Sequence, residues 1–350
     1  MRRRLVRGAT AIPALLALVV PAAACQPSRP PPPDGPHIVA GYLVPWDPRS
    51  TASGPALTEV DPVWYQPTDT GQVVFASDQA RRAVDPVRAD AAARKLLLKP
   101  SVSNFRGNRW DGALVHRIVS DPTTRAAHVA ALVDTARTNG WPGLDVDYES
   151  LPASDRDAYS AFVSELADAL HRDHRRLSVT VHAKTTEPGD WGGARAEDWR
   201  ALGRAADQVR VMAYDYSYAS SEPGSVAPMP WVEQVVRLAV SEMPRDRILL
   251  GVGTYGYDWT AGQPGRELQW TDVEALARAR GVPVAWDPVS QSSWFSYTDD
   301  QGHPHTVWYE NARSLAAKVD LATRYRLAGV SIWRLGGEDP AIWPTLHPIS

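Results

Sequence analysis

The sequence predicts an α/β protein: a (β/α)8 barrel with a small α+β insertion after the seventh strand. Three observations lead there. From His37 onward, eight short apolar runs alternate with amphipathic stretches. Continuous apolar runs separated by amphipathic helices indicate parallel strands covered on both faces. Eight such units point to a closed barrel rather than an open sheet. The chain of 350 residues suits one large barrel domain of roughly 250 residues plus insertions behind an N-terminal segment.

In chain order, residues 1–24 read as a signal peptide. Arg2, Arg3, Arg4 and Arg7 form a basic start, and Ala9 to Val20 form an apolar stretch too short to span a bilayer. Ala22-Ala23-Ala24 before Cys25 resembles a bacterial lipobox, with Ala where Leu is usual at position 22. Cys25 is the expected lipid attachment point, placing the protein outside the cytoplasm on a membrane through the lipid alone. Ordinary cleavage after Ala24, giving a secreted chain, is the other reading. Cys25 is the single Cys, so neither an intrachain disulfide nor a Cys-based zinc site is expected. Residues 25–36 contain QPSRPPPPDGP, an extended semi-rigid spacer. Removing residues 1–24 takes four of the 37 basic residues and none of the 40 acidic ones, moving the net charge from −3 to −7. No basic stripe remains, so no nucleic-acid partner is expected.

The catalytic domain is expected over 37–350. Its apolar runs are Ile38–Val44, Val63–Tyr65, Leu96–Val102, Gly143–Tyr148, Leu177–His182, Val209–Tyr214, Ile248–Tyr255 and Gly329–Trp333. Between them, Arg125–Thr138 carries Val129, Leu132, Val133 and Ala136 at helical spacing and is stopped by Asn139-Gly140. Asp155–Arg172 places Tyr159, Phe162, Val163, Leu166 and Leu170 on one face, with Ser154 as the candidate N-cap. Trp231–Met243 and Ser314–Arg326 are similar. The interval after the seventh run exceeds what one helix needs. It reads as an insertion over about 260–306 holding a helix, Asp272–Arg280, and a hairpin, Trp294–Tyr297 with Thr306–Tyr309. No transmembrane span is expected in the mature chain.

The composition, 44% hydrophobic and 22% charged, excludes bulk disorder. Fourteen Trp and 12 Tyr stand against 4 Phe. Flat rings with a polar tip suit a ligand that is half apolar and half hydroxylated. The sharpest chemical signal is GLDVDYES. On a strand, Asp145, Asp147 and Glu149 share one face and Leu144, Val146 and Tyr148 the other. In a barrel this sends three carboxyl groups inward, with Glu149 nearest the C-terminal rim where barrel sites form. Adjacent carboxylates raise one another's pKa, so the terminal one can keep a proton and act as a general acid. A solvated acidic turn is a poor alternative, because apolar residues interleave with the acids.

GLDVDYES resembles the active-site strand of glycoside hydrolase family 18, the chitinase family, whose pattern is DGxDxDxE. Pro142 stands where that pattern has its first Asp, a departure shared with the spore-cortex and germination branch of the family. Val211–Glu233, Ile248–Trp259 and Val307–Trp343 resemble later segments of the same branch, so the likeness covers nearly all of residues 37–346. It implies a retaining, substrate-assisted glycosidase that cleaves β-1,4 bonds of N-acetylglucosamine-containing glycans, with peptidoglycan favoured over chitin and no cofactor or metal. Glu149 is then the acid and base, Asp147 orients the acetamido N–H, Asp145 tunes Asp147, and Tyr214 contacts the acetamido carbonyl. Asp215, Trp333 and Tyr255 are assigned to substrate binding. Tyr42 either lines the same cavity or is a core Tyr with a satisfied hydroxyl. The family also includes non-catalytic carbohydrate-binding members, which typically lack the acid retained here at Glu149. A monomer is expected.

Three other signals are discounted. Gly251, Gly253 and Gly256 spell GxGxxG, yet no helix follows to hold a pyrophosphate. Asp299, Asp300, His303 and His305 fit a polar hairpin turn better than a metal site. His182 reads as a pocket-lining or core residue rather than a ligand. Trp46, Trp110, Trp191 and Trp231 are each open between sugar stacking and the core.

Overall fold

Alternation along the strands builds the barrel. The computed structural model describes residues 38–346; the signal segment, Cys25 and the Pro-rich spacer lie outside them. Eight parallel strands form the wall: β1 (Ile38–Leu43), β2 (Glu59–Pro67), β3 (Ser101–Ser103), β4 (Gly143–Asp147), β5 (Arg176–His182), β6 (Gln208–Met212), β7 (Ile248–Gly253) and β8 (Gly329–Trp333). They neighbour one another in sequence order, and β1 pairs with both β2 and β8, which closes the barrel. Outward positions such as Val60, Leu144, Val146, Val179, Val211, Val252 and Ile332 join the main apolar core under the helices. Inward positions are mostly polar or charged: Glu59, Asp61, Ser101, Asp145, Asp147, Ser178, Thr180, Gln208 and Arg210 are all buried. A small apolar cluster of Ala40, Leu249 and Ala328 lies apart from that core.

The helices follow the expected caps with two differences. Helix Pro122–Asn139 starts at Asp121, whose side chain accepts from Thr123 and Thr124 backbone N–H, and stops at Gly140 with φ +68°. Ser154 does not cap the next helix. A 3-10 turn, Ala153–Asp155, comes first, Asp155 takes the N-cap position of Arg156–Arg172, and its carboxylate goes to His116 instead. In helix Ala312–Arg324, Ser314 is the third residue rather than the start, and closes a capping box with Asn311.

Strand β2 is nine residues long, far beyond its apolar run Val63–Tyr65, because Glu59 and Asp61 occupy inward positions. β7 ends at Gly253, and Tyr255–Thr260 belongs to the insertion, not to the barrel. The YGYDW alternation is indistinguishable from a continuing strand until its partner is known, and that partner is the antiparallel strand Pro304–Tyr309. The insertion is larger than one helix and one hairpin: five antiparallel strands with helix Trp270–Arg280. The glycines of GxGxxG serve close packing here. A Cβ on Gly251 would lie 2.4 Å from the Val211 carbonyl oxygen, and one on Gly256 2.3 Å from that of Trp308. Among the described residues no helix is long and apolar enough to cross a membrane.

Candidate active site

The Leu144, Val146 and Tyr148 side of β4 is pinned against the helices. Tyr148 hydroxyl meets His128 Nε2 at 2.8 Å, and the Tyr148, His128 and Phe162 rings stack. Burial lowers His128 to about 4, so it stays neutral against this apolar layer. With that face fixed, Asp145 and Asp147 must point into the barrel. Pro142 precedes the strand with its side chain exposed, and its carbonyl accepts the Arg176 backbone N–H at 2.9 Å.

Asp145 is fully buried and well satisfied. It accepts from Ser178 Oγ at 2.7 Å and from Tyr42 hydroxyl at 3.0 Å, with Arg210 Nε at 3.8 Å. Arg210 also reaches Asp61 at 2.8 Å and Glu59 at 3.4 Å, and Lys99 holds Glu59 at 2.9 Å. The barrel floor is therefore an ion network of two cations and three carboxylates. Burial lifts Asp61 to about 6 against the lowering pull of Arg210 and Lys99. Tyr42 proves to be in the barrel with its hydroxyl shared between Asp145 and Thr180, at 2.6 Å from the latter, and its ring 5.4 Å from that of Trp333.

One register step up, Asp147 has an Oδ1 that is buried without a hydrogen-bond partner. Burial, with Glu149 and Asp145 nearby, raises its pKa well above the usual carboxylate range. Glu149 lies past the strand end, at 14% side-chain exposure, with Oε2 3.0 Å from His182 Nε2. Its backbone is clamped by Asn104, which donates to the Glu149 carbonyl and accepts from the Glu149 N–H, both at 2.9 Å.

Strand β6 leads to the remaining residues. Tyr214 is half-buried beside Tyr255, ring centroids 6.3 Å apart. Asp215 follows in the left-handed region, φ +57°, which Asp tolerates better than most residues. The residue is exposed, and its Oδ1 accepts from the hydroxyls of Tyr255 at 2.6 Å and Tyr257 at 3.1 Å. Loss of water around the carboxylate lifts Asp215 to about 6 against those two hydrogen bonds. Tyr255 therefore comes from the insertion sheet, which forms one side of the site. Trp333 ends β8 and packs against both Tyr42 and the Tyr255 cluster.

Asn104, Glu197 and Arg210 belong to the site without standing out in the sequence pattern. Asn104 and Arg210 had a usable signal: a polar residue just past β3, and a cation at an inward position of β6. Glu197 had none, since it reaches His182 only through the fold. Of the open tryptophans, Trp46 and Trp191 are 52% and 44% exposed, Trp110 pairs with Phe105, and Trp231 pairs with Tyr216. The 299–305 turn satisfies itself: Asp299 accepts backbone N–H from Gln301 and His303, Asp300 meets Arg280, and His305 meets Asp258.

The profile described as Glycosyl hydrolases family 18 matches residues 39–338. The chain is 31% identical over 264 residues to the Cortical fragment-lytic enzyme of Bacillus subtilis, spanning 73% of this chain and 61% of that protein. It therefore spans less than two thirds of that relative. The structure of the Bacillus cereus spore cortex-lytic enzyme SleL is similar at a TM-score of 0.81 and 26% identity, covering 88% of this chain and 73% of the other. A chitinase from Chromobacterium violaceum is similar at a TM-score of 0.80 and 32% identity, covering 89% and 98%.

Proposed function

Because this chain belongs to the glycosyl hydrolases family 18 and is a glycosidase of it, we propose that it cleaves β-1,4 bonds after N-acetylglucosamine units with retention. The sugar's own acetamido group is the nucleophile, as is general for this family. The observation that carries the reading is the stepped row of acids. Asp145 is satisfied on the barrel floor, Asp147 has an unpartnered buried oxygen, and Glu149 stands at the rim. A buried acceptor without a donor is costly unless a ligand supplies one, and the acetamido N–H is such a donor. Glu149 gives a proton to the glycosidic oxygen as the acetamido oxygen attacks the anomeric carbon and the leaving sugar departs. Glu149 then takes a proton from water, whose oxygen opens the oxazolinium ring and restores the acetamido group. Tyr214 holds the acetamido oxygen, Asp215 and Tyr255 line the same side, and Trp333 supports the sugar's apolar face.

Peptidoglycan is the proposed substrate, on the likeness to proteins named for lysis of the spore cortex. The likeness to a chitinase at 32% identity favours chitin as the second reading. Digestion of purified peptidoglycan and chitin in parallel, read by mass spectrometry and anomeric NMR, separates them. The expected products are β-anomeric, reducing-end N-acetylglucosamine oligomers from peptidoglycan. Reducing-end muramic acid, or inversion, would overturn the proposal. Lipidation at Cys25 is proposed from the sequence alone, and labelling with a fatty-acid analogue tests it.

A further inference from the structure

We propose that His182, held by Glu197, is the positioning residue of the acid Glu149, fixing its carboxylate and sharing a transferable proton with it. The inference rests on the glycosidase reading above. Its basis is a linear chain of contacts: Glu197 Oε1 to His182 Nδ1 at 2.6 Å, and His182 Nε2 to Glu149 Oε2 at 3.0 Å. Glu197 is 2% exposed and also accepts the His182 backbone N–H at 2.9 Å, so it cannot swing away without losing two bonds. Trp191 covers the imidazole edge-on, ring centroids 4.5 Å apart.

The geometry accepts one proton in either of two places. With the imidazole charged, both ring N–H groups donate to carboxylates. With it neutral, Glu197 retains the Nδ1 proton and Nε2 accepts from a protonated Glu149. Glu197 thereby selects the tautomer that faces Glu149, the same logic by which a carboxylate orients a catalytic His elsewhere. During cleavage the proton goes from Glu149 to the leaving oxygen, and the pair is one proton short. The attacking water returns it through Glu149. One water is consumed, its hydroxyl at the anomeric carbon and its proton in the pair.

The charged groups facing His182 are Asp147 at the end of β4, Glu149 just past it, and Glu197 from the segment before helix Trp199–Ala205. Lys184 lies behind Glu197, its Nζ on the Glu197 carbonyl at 2.6 Å. Tyr159 stands beside Glu197 from helix Arg156–Arg172. Burial alone would lower His182, but the flanking carboxylates of Glu197 and Glu149 outweigh it and lift the imidazole to about 10. The imidazole therefore keeps its proton into the alkaline range.

The test compares wild type, His182→Gln and Glu197→Gln on an N-acetylglucosamine oligosaccharide and on its 2,4-dinitrophenyl glycoside, whose leaving group needs no proton. For His182→Gln the expected result is a loss of about 10²-fold in kcat on the oligosaccharide with KM little changed, and near-normal turnover of the dinitrophenyl glycoside. The basic limb of kcat/KM moves to lower pH, and Glu197→Gln moves it the same way by less. Equal losses on both substrates would mean a structural role and overturn the inference. So would an upward shift of the basic limb, which is what removing a mere neighbouring cation produces. Dinitrophenyl glycoside turnover also reports folding of each variant. Failure of the wild-type enzyme to cleave either substrate would instead refute the proposed function.

Discussion

Replacing Arg210 by Met tests whether the barrel floor is held by charge. Arg210 is buried and faces Asp61 at 2.8 Å, Glu59 at 3.4 Å and Asp145 at 3.8 Å. Met fills similar volume, so the loss is electrostatic rather than a cavity. Lys99 alone then faces the carboxylates. Removing one partner of a buried ion pair costs roughly 3–5 kcal/mol, because the remaining charge stays desolvated. For a domain of this size that corresponds to a fall in Tm of roughly 5–8 °C. The pH dependence supplies the sharper check. Asp61 titrates at about 6 in the folded protein, against about 3.9 when unfolded. The folded state thus binds more protons between those values, and Asp61's contribution to stability falls as pH rises through that window. Loss of Arg210 pushes Asp61 higher still, so the variant suffers most at pH 8 and recovers part of its deficit at pH 5, where the carboxyl is already protonated. Calorimetric melts of both proteins at the two pH values measure this. A deficit independent of pH, or no deficit, would refute an electrostatic floor.

Three further outcomes are expected. Glu149→Gln should lower kcat on an oligosaccharide by about 10²–10⁴-fold while calorimetric titration still detects sugar binding; wild-type turnover would remove Glu149 from the acid role. Tyr255→Phe deletes the 2.6 Å bond to Asp215, so the Asp215 carboxyl should titrate above its present value of about 6, visible as an upward shift by NMR; an unchanged or lower pKa contradicts the assignment. Gly251→Ala drives a Cβ to 2.4 Å from the Val211 carbonyl and should cost roughly 1–3 kcal/mol in a denaturant melt, whereas a neutral result would mean β6 and β7 can part freely.

Much of the fold was legible because outward-facing strand residues are apolar whatever the barrel contains. Leu144, Val146 and Tyr148 announced β4, and their parity alone sent the acids inward. Where inward residues broke the apolar run the reading shortened or failed: Glu59 and Asp61 hid most of β2, and Tyr255–Thr260 looked like more of β7. The row Asp145, Asp147, Glu149 was legible for the same reason, but the surroundings of each acid were not. Burial, with Glu149 and Asp145 nearby, raises the Asp147 pKa. From the sequence, His182 reads only as a pocket-lining or core residue.

By itself the sequence determined the barrel, the acid row and the family resemblance, since these follow from local periodicity and from residues a few positions apart. Only the tertiary structure decided which charges meet. Arg210 and Asp61 are 149 positions apart, and Glu197 reaches Glu149 through His182. The pairing of β6 with β7 also brings the insertion's Tyr255 to Asp215. Electrostatic interaction depends on separation in space and on exclusion of water, and neither quantity is written in the order of the residues.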